Sequence, residues 1–134
     1  ELSAFKLFIN DVGLLGAMSK LNSKTIALGN AIFAEFKGAL AEQFAFQQLI
    51  QNENLSVFYH TFSNSKYELD FLIQTENDEI VPIEVKAGEN LHANSFRLFC
   101  QKHKPQKAIR ASLAPYKAEE WMINLPLYAI ETIV

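Results

Sequence analysis

The sequence is short of the residues that staple or anchor a chain. Its one cysteine, Cys100, has no partner, which excludes a disulfide framework. That cysteine and three scattered histidines, His60, His92 and His103, do not give the ligand spacing of a structural zinc site. No apolar run approaches the length needed to span a bilayer. No basic stretch followed by an apolar one opens the chain, so secretion is not indicated and a reduced cytoplasmic compartment is the expectation. Internal repeats and low-complexity tracts are missing as well. What is plentiful is apolar surface: 134 residues, 49% of them hydrophobic, with 11 Phe. That suffices for the core of one domain over residues 1–134 and excludes intrinsic disorder. The chain begins at Glu1, without Met, and residues 4–9 already read as structure. We therefore expect a domain taken from a longer protein.

Charge is unevenly spread. Residues 1–83 carry ten acidic and five basic groups, whereas residues 84–117 carry seven basic (Lys86, Arg97, Lys102, Lys104, Lys107, Arg110 and Lys117) and two acidic ones. The basic run reads either as a solvated helix face with a loop or as a strip able to meet phosphates. The net charge of −3 does not favour a stand-alone nucleic-acid binder, since those are usually basic.

Periodicity and punctuation predict a mixed α/β order. Residues 5–9 read as a short strand or extended segment, and Asp11 as the cap of a helix running to about Lys20. Residues 22–34 fit a loop or a short helix. A helix is expected over 35–50, with Phe36, Leu40 and Phe44 on one stripe and Gly38, Ala45, Phe46 and Leu49 on another. Three strands follow at 55–62, 67–74 and 79–87, separated by turn clusters at 63–65 and 76–78. A second helix fits 93–103, with Phe96 and Phe99 or Cys100 inward. Another strand fits 107–113, then a last strand at 121–123 and a closing short helix at 126–133. Trp121 and Tyr128 are expected to pack the C-terminal segment.

The most informative stretch is the middle hairpin. With its turn centred on Asn77, Asp70 falls opposite Glu84. Alternation then puts Asp70 and Leu72 on one face with Glu84 and Lys86, and Leu69, Phe71 and Ile73 on the other with Ile83 and Val85. Both faces are largely apolar around the charges, so the hairpin reads as central and covered on both sides. Two facing carboxylates repel, and desolvation adds to the cost of charging them. Such a pair needs a cation or a raised pKa: Lys86 is one candidate, a divalent metal ion another. The alternative is a surface hairpin holding an Asp–Glu–Lys salt-bridge cluster. Glu42 bears on this choice. It lies on the apolar stripe of the 35–50 helix beside Gly38, which would admit a close neighbour. It is either a carboxylate at the edge of that stripe or a third acid aimed at the sheet.

Taken in order, Lys37-Gly38-Ala39-Leu40-Ala41-Glu42, Glu68-Leu69-Asp70-Phe71-Leu72-Ile73 and Pro82-Ile83-Glu84-Val85-Lys86-Ala87-Gly88 resemble the PD-(D/E)XK nuclease superfamily. Within it, the likeness is to the family called domain of unknown function 4143. Lys6-Leu7-Phe8-Ile9-Asn10-Asp11-Val12-Gly13-Leu14-Leu15 resembles the opening of that family. Lys107-Ala108-Ile109-Arg110 and Ile123-Asn124-Leu125-Pro126-Leu127-Tyr128 resemble its tail. Leu69 stands where the superfamily often has proline.

The resemblance implies a restriction-endonuclease-like αβββαβ core, a central mixed sheet flanked by helices. It also implies a C-terminal domain of a prokaryotic protein with an AAA-type ATPase module in front. It implies that Asp70 and Glu84 bind Mg²⁺ or Mn²⁺, joined by the Val85 carbonyl. Glu42 would assist, and Lys86 would position or deprotonate the attacking water. DNA or RNA would be the substrate, with Arg97, Lys102, Lys104, Lys107 and Arg110 on its phosphates. Two other expectations stand beside nuclease activity: a non-catalytic nucleic-acid-binding module, and a protein-interaction module in which the acids and Lys86 form a buried polar cluster.

Overall fold

A computed structural model describes residues 5–21, 31–61, 68–88 and 93–133, with the backbone alone for 31–35. Residues 22–30, the ends of two expected strands at Phe62 and Tyr67, the 63–65 turn and His92 lie outside the described residues.

The chain enters as an extended segment, 5–9, followed by helix α1 (Val12–Met18). Asp11 caps α1 as expected: its Oδ1 accepts the Leu14 N–H at 2.8 Å, satisfying one of the donors that every helix start leaves over. Helix α2 (Ala31–Leu49) begins before the expected residue 35. Ala41, Ala45 and Leu49, one turn apart, are buried against the sheet. Gln43 is also buried and works as a polar clasp. Its Oε1 accepts the Ile9 N–H at 2.9 Å and its amide donates back to the Ile9 carbonyl. The opening segment is thereby held to α2 with its backbone groups satisfied. Phe8 adds a stack on Phe46 with centroids 4.3 Å apart, and both rings meet Phe71 of the sheet.

Strands β1 (Ser56–Thr61), β2 (Glu68–Gln74) and β3 (Ile80–Lys86) form an antiparallel meander. Phe71 pairs with Ile83, Leu72 with Pro82 and Ile73 with Val81, which is the expected register. Helix α3 (Asn94–His103) then crosses over to β4 (Ile109–Ser112), parallel to β3. Parallel neighbours require such a crossover. Pro82 has no N–H to donate, and it sits just before the first β3–β4 pair, Ile83 with Ile109. The short β5 (Lys117–Ala118) and β6 (Ile123–Pro126) complete a six-stranded mixed sheet of order β1-β2-β3-β4-β6-β5, followed by a 3₁₀ helix (Leu127–Thr132). The expected αβββαβ order is present, with β6 falling later than the expected 121–123 and β5 unforeseen.

The core has two parts. One lies between the sheet and α2 with the 3₁₀ helix, built on Phe71, Ile73, Val81, Ile83, Val85, Ile109, Ala111 and Ile130. The other lies under α3, where Phe96, Phe99 and Cys100 meet Leu69, Ala108 and Met122. Trp121 packs on Phe96 at 5.5 Å, whereas Tyr128 is 79% exposed and does not pack the C-terminal segment as expected.

Leu69 corrects one expectation about faces. Phe58 pairs with Leu72 but His60 pairs with Leu69, so β2 carries one extra residue across Asp70 and Phe71. This β-bulge breaks the alternation. Leu69 joins Leu72 on the α3 side, away from Phe71 and Ile73.

Candidate functional site

The bulge sits at Asp70, and there the side chain takes over from the ladder. The Val85 N–H donates to Asp70 Oδ2 at 2.8 Å, so one carboxylate oxygen is committed to the β3 backbone. Asp70 is 8% exposed and the adjacent Glu84 6%. Lys86, two residues along β3 on the face alternation assigns it, places Nζ 2.6 Å from Glu84 Oε1. Glu84 Oε2 is buried and has no hydrogen-bond partner. An orphaned buried carboxylate oxygen is costly, and it is the one such side-chain atom among the described residues.

Helix α2 brings Glu42 to the same neighbourhood, half-buried, with Oε2 at 3.5 Å from Lys6 Nζ. Gly38, one turn earlier, does not serve the close approach expected of it: a Cβ there would meet nothing within 4 Å. The opening segment supplies Lys6, which also reaches Glu68 Oε1 at 3.2 Å and Asp70 Oδ1 at 3.8 Å. Lys6 and Glu68 are the two members of the cluster that the pattern of acids did not single out. Lys6 lies in an irregular segment 36 residues from Glu42, where no periodicity predicts a partner.

Four carboxylates thus face two amines, which leaves two negative charges over. Burial and this deficit act together on Glu84, Asp70 and Glu42. Burial, with the charge of Asp70 second, pushes the Glu84 carboxyl up to about 7. Burial likewise raises Asp70, against the Val85 N–H and the two lysines that favour its charged form. Glu42 is raised by burial and by Asp70. For Lys6, burial opposes the charged form, but Glu42, Asp70 and Glu68 outweigh it and hold its pKa above the ordinary value.

The residues fit a hard divalent cation in donor type: carboxylate oxygens, one of them orphaned, in a cluster short of positive charge. They are not drawn together as a finished cage. Among the described residues no group of three or more His, Cys, Asp or Glu side chains stands ready to hold a metal ion.

The basic residues divide. Arg97, Lys102 and Lys104 are exposed on α3 and at its left-handed C-cap, Lys104. Lys107 is half-buried, its Nζ donating to the Ile133 carbonyl at 2.5 Å. Arg97, Lys104 and Lys107 border a cleft of about 480 Å³ whose other rim holds Glu119, Glu120 and Trp121. Arg110 corrects the expected phosphate contact. It is 8% exposed, with Nε donating to Asn124 Oδ1 at 2.9 Å and its guanidinium 3.6 Å from Glu119 Oε1. On a strand buried along its whole length, an arginine is held by the fold. Cys100 is buried in the core as expected, which pushes its thiol up to about 11. His60 and His103 pack against Phe99.

No helix among the described residues is long and apolar enough to cross a membrane. Nothing among curated proteins or solved structures matches the chain. One family model, described as domain of unknown function (DUF4143), matches residues 37–130, a span that holds Glu42, Asp70, Glu84 and Lys86. By that match over most of its length, the chain belongs to the family of domain of unknown function 4143.

Proposed function

We propose that this is a PD-(D/E)XK-type, metal-dependent nuclease domain that hydrolyses phosphodiester bonds of DNA or RNA and works beside an AAA-type ATPase module. The observation that carries the reading is the buried Asp70–Glu84 pair, with Glu84 Oε2 left without a partner and its carboxyl held near 7. A stable fold gains nothing from such an arrangement, whereas a site that awaits a cation does. A bound Mg²⁺ or Mn²⁺ would supply charge stabilisation at the phosphate and a more acidic water.

The roles of the chain's own groups follow. Asp70 Oδ1, Glu84 Oε2 and the Val85 carbonyl would hold the ion. The Val85 N–H keeps Asp70 turned to the site. Lys86, held as an ammonium by Glu84, would orient the attacking water by donating from Nζ. Water oxygen bonds to phosphorus, one phosphorus–ester oxygen bond breaks, and the departing oxygen collects the water's proton. Glu42 would hold a further water. Arg97, Lys102 and Lys104 would fix the backbone of the nucleic acid, which sets position without reading sequence. The test is cleavage of plasmid and branched DNA, and of RNA, with Mn²⁺. Cleavage is expected, falling at least about a hundredfold in Asp70→Ala and in Glu84→Ala. No cleavage, or cleavage unchanged in both variants, overturns the reading.

One observation favours a second reading, a nucleic-acid-binding module without catalysis: Lys6 and Lys86 already lie against the acids, and no three-acid cage is formed among the described residues. Its mark is salt-sensitive binding that persists in chelator.

A further inference from the structure

We propose that Lys6 is the resident cation of this cluster and that a divalent ion takes the site by displacing its amine, an inference that rests on the metal reading above. One oxygen of each carboxylate in the Asp70–Glu84 pair is already committed. Asp70 Oδ2 holds the Val85 N–H and Glu84 Oε1 holds Lys86. The oxygens left for an added cation are therefore Asp70 Oδ1 and Glu84 Oε2. Lys6 Nζ faces the first of these at 3.8 Å while also reaching Glu42 and Glu68. An ammonium beside Asp70 Oδ1 and a divalent ion on it would repel strongly in a partly buried setting.

Lys6 is also built to leave. Its three contacts run from 3.2 to 3.8 Å, all longer than the 2.6 Å pair of Lys86 with Glu84. Its side chain is 19% exposed and borders a cleft of about 320 Å³ shared with Phe46, Val57 and Tyr59, which gives the stem room to turn. The backbone is anchored further on, by Phe8 on Phe46 and Ile9 on Gln43. The four-carbon stem can swing while the segment stays docked. The amine then serves the metal-free protein by offsetting like charges, and yields when a stronger cation arrives.

The experiment is calorimetric Mn²⁺ titration of the wild type, Lys6→Gln and Lys37→Gln, the last an exposed amine on α2 that controls for the loss of one positive charge. Lys6→Gln is expected to bind Mn²⁺ about tenfold more tightly than wild type, and Lys37→Gln within about twofold of it. Equal or weaker binding by Lys6→Gln, with wild type binding normally, overturns the inference and leaves the metal reading standing. No binding by any of the three overturns both. A second measurement uses unaltered protein: acylation of amines by a small reagent, read at Lys6 by mass spectrometry with Lys37 as the internal reference. Saturating Mn²⁺ should raise labelling of Lys6 severalfold, whereas unchanged or reduced labelling shows that the amine stays and overturns the displacement.

Discussion

Two buried polar networks lie side by side on adjacent strands. Glu84 of β3 is the register partner of Arg110 of β4, and Lys86 that of Ser112. The β4 network is closed. Asn124 Oδ1 accepts from Arg110 Nε and from the Ser112 hydroxyl at 2.9 and 2.8 Å. Asn124 Nδ2 donates to the Pro115 and Ala114 carbonyls, Ser112 Oγ accepts the Ala114 N–H, and Glu119 offsets the guanidinium. The β3 network is open: an orphaned oxygen, two amines for four acids, and a carboxyl near 7. Polar groups on neighbouring strands therefore do opposite work. A closed network specifies the β4–β6 pairing and the 113–116 turn, whereas an open one stores unmet demand for a cation.

Breaking the closed network should have the larger effect on folding. Asn124→Ala deletes the shared acceptor and strands part of the buried Arg110, and is expected to cost about 3 kcal/mol in urea unfolding. A cost below about 1 kcal/mol would remove the contrast. The open network should respond in the other direction. The native Glu84 carboxyl sits near 7, above the ordinary 4.5, so the native state holds that proton more tightly than the unfolded chain. Ionised Glu84 thus opposes folding, and its penalty grows as pH rises from about 4.5 to about 7. Glu84→Gln should accordingly stabilise the protein by roughly 1–2 kcal/mol at pH 8. At pH 5 it should leave stability nearly unchanged. Equal destabilisation at both pH values would mean that Glu84 is a structural ion-pair member.

Much of this was legible because local rules and the fold agree. The apolar alternation of 69–74 and 80–85 around a polar turn is enough to set the β2–β3 register and bring Asp70 to Glu84. Asp11 announces α1, and Phe96, Phe99 and Cys100 announce the inner face of α3. The failures share one cause, tertiary context that no local pattern carries. Leu69 reads as a partner of Phe71 until one extra residue against β1 turns it over. Arg110 alternates like a surface residue, but β4 is a central strand with parallel neighbours and is covered on both faces. Lys6 meets acids on α2 and β2 only because Gln43 and a phenylalanine stack dock the opening segment.

Whether the open cluster holds a divalent cation is decided by a Mn²⁺ titration followed by thermal unfolding, wild type against Asp70→Asn. A cation that binds only the native state must raise its melting temperature as concentration rises. A saturable upward shift is expected in wild type and little or none in Asp70→Asn. A wild type that Mn²⁺ leaves unmoved, or the same shift in both proteins, would contradict the metal reading.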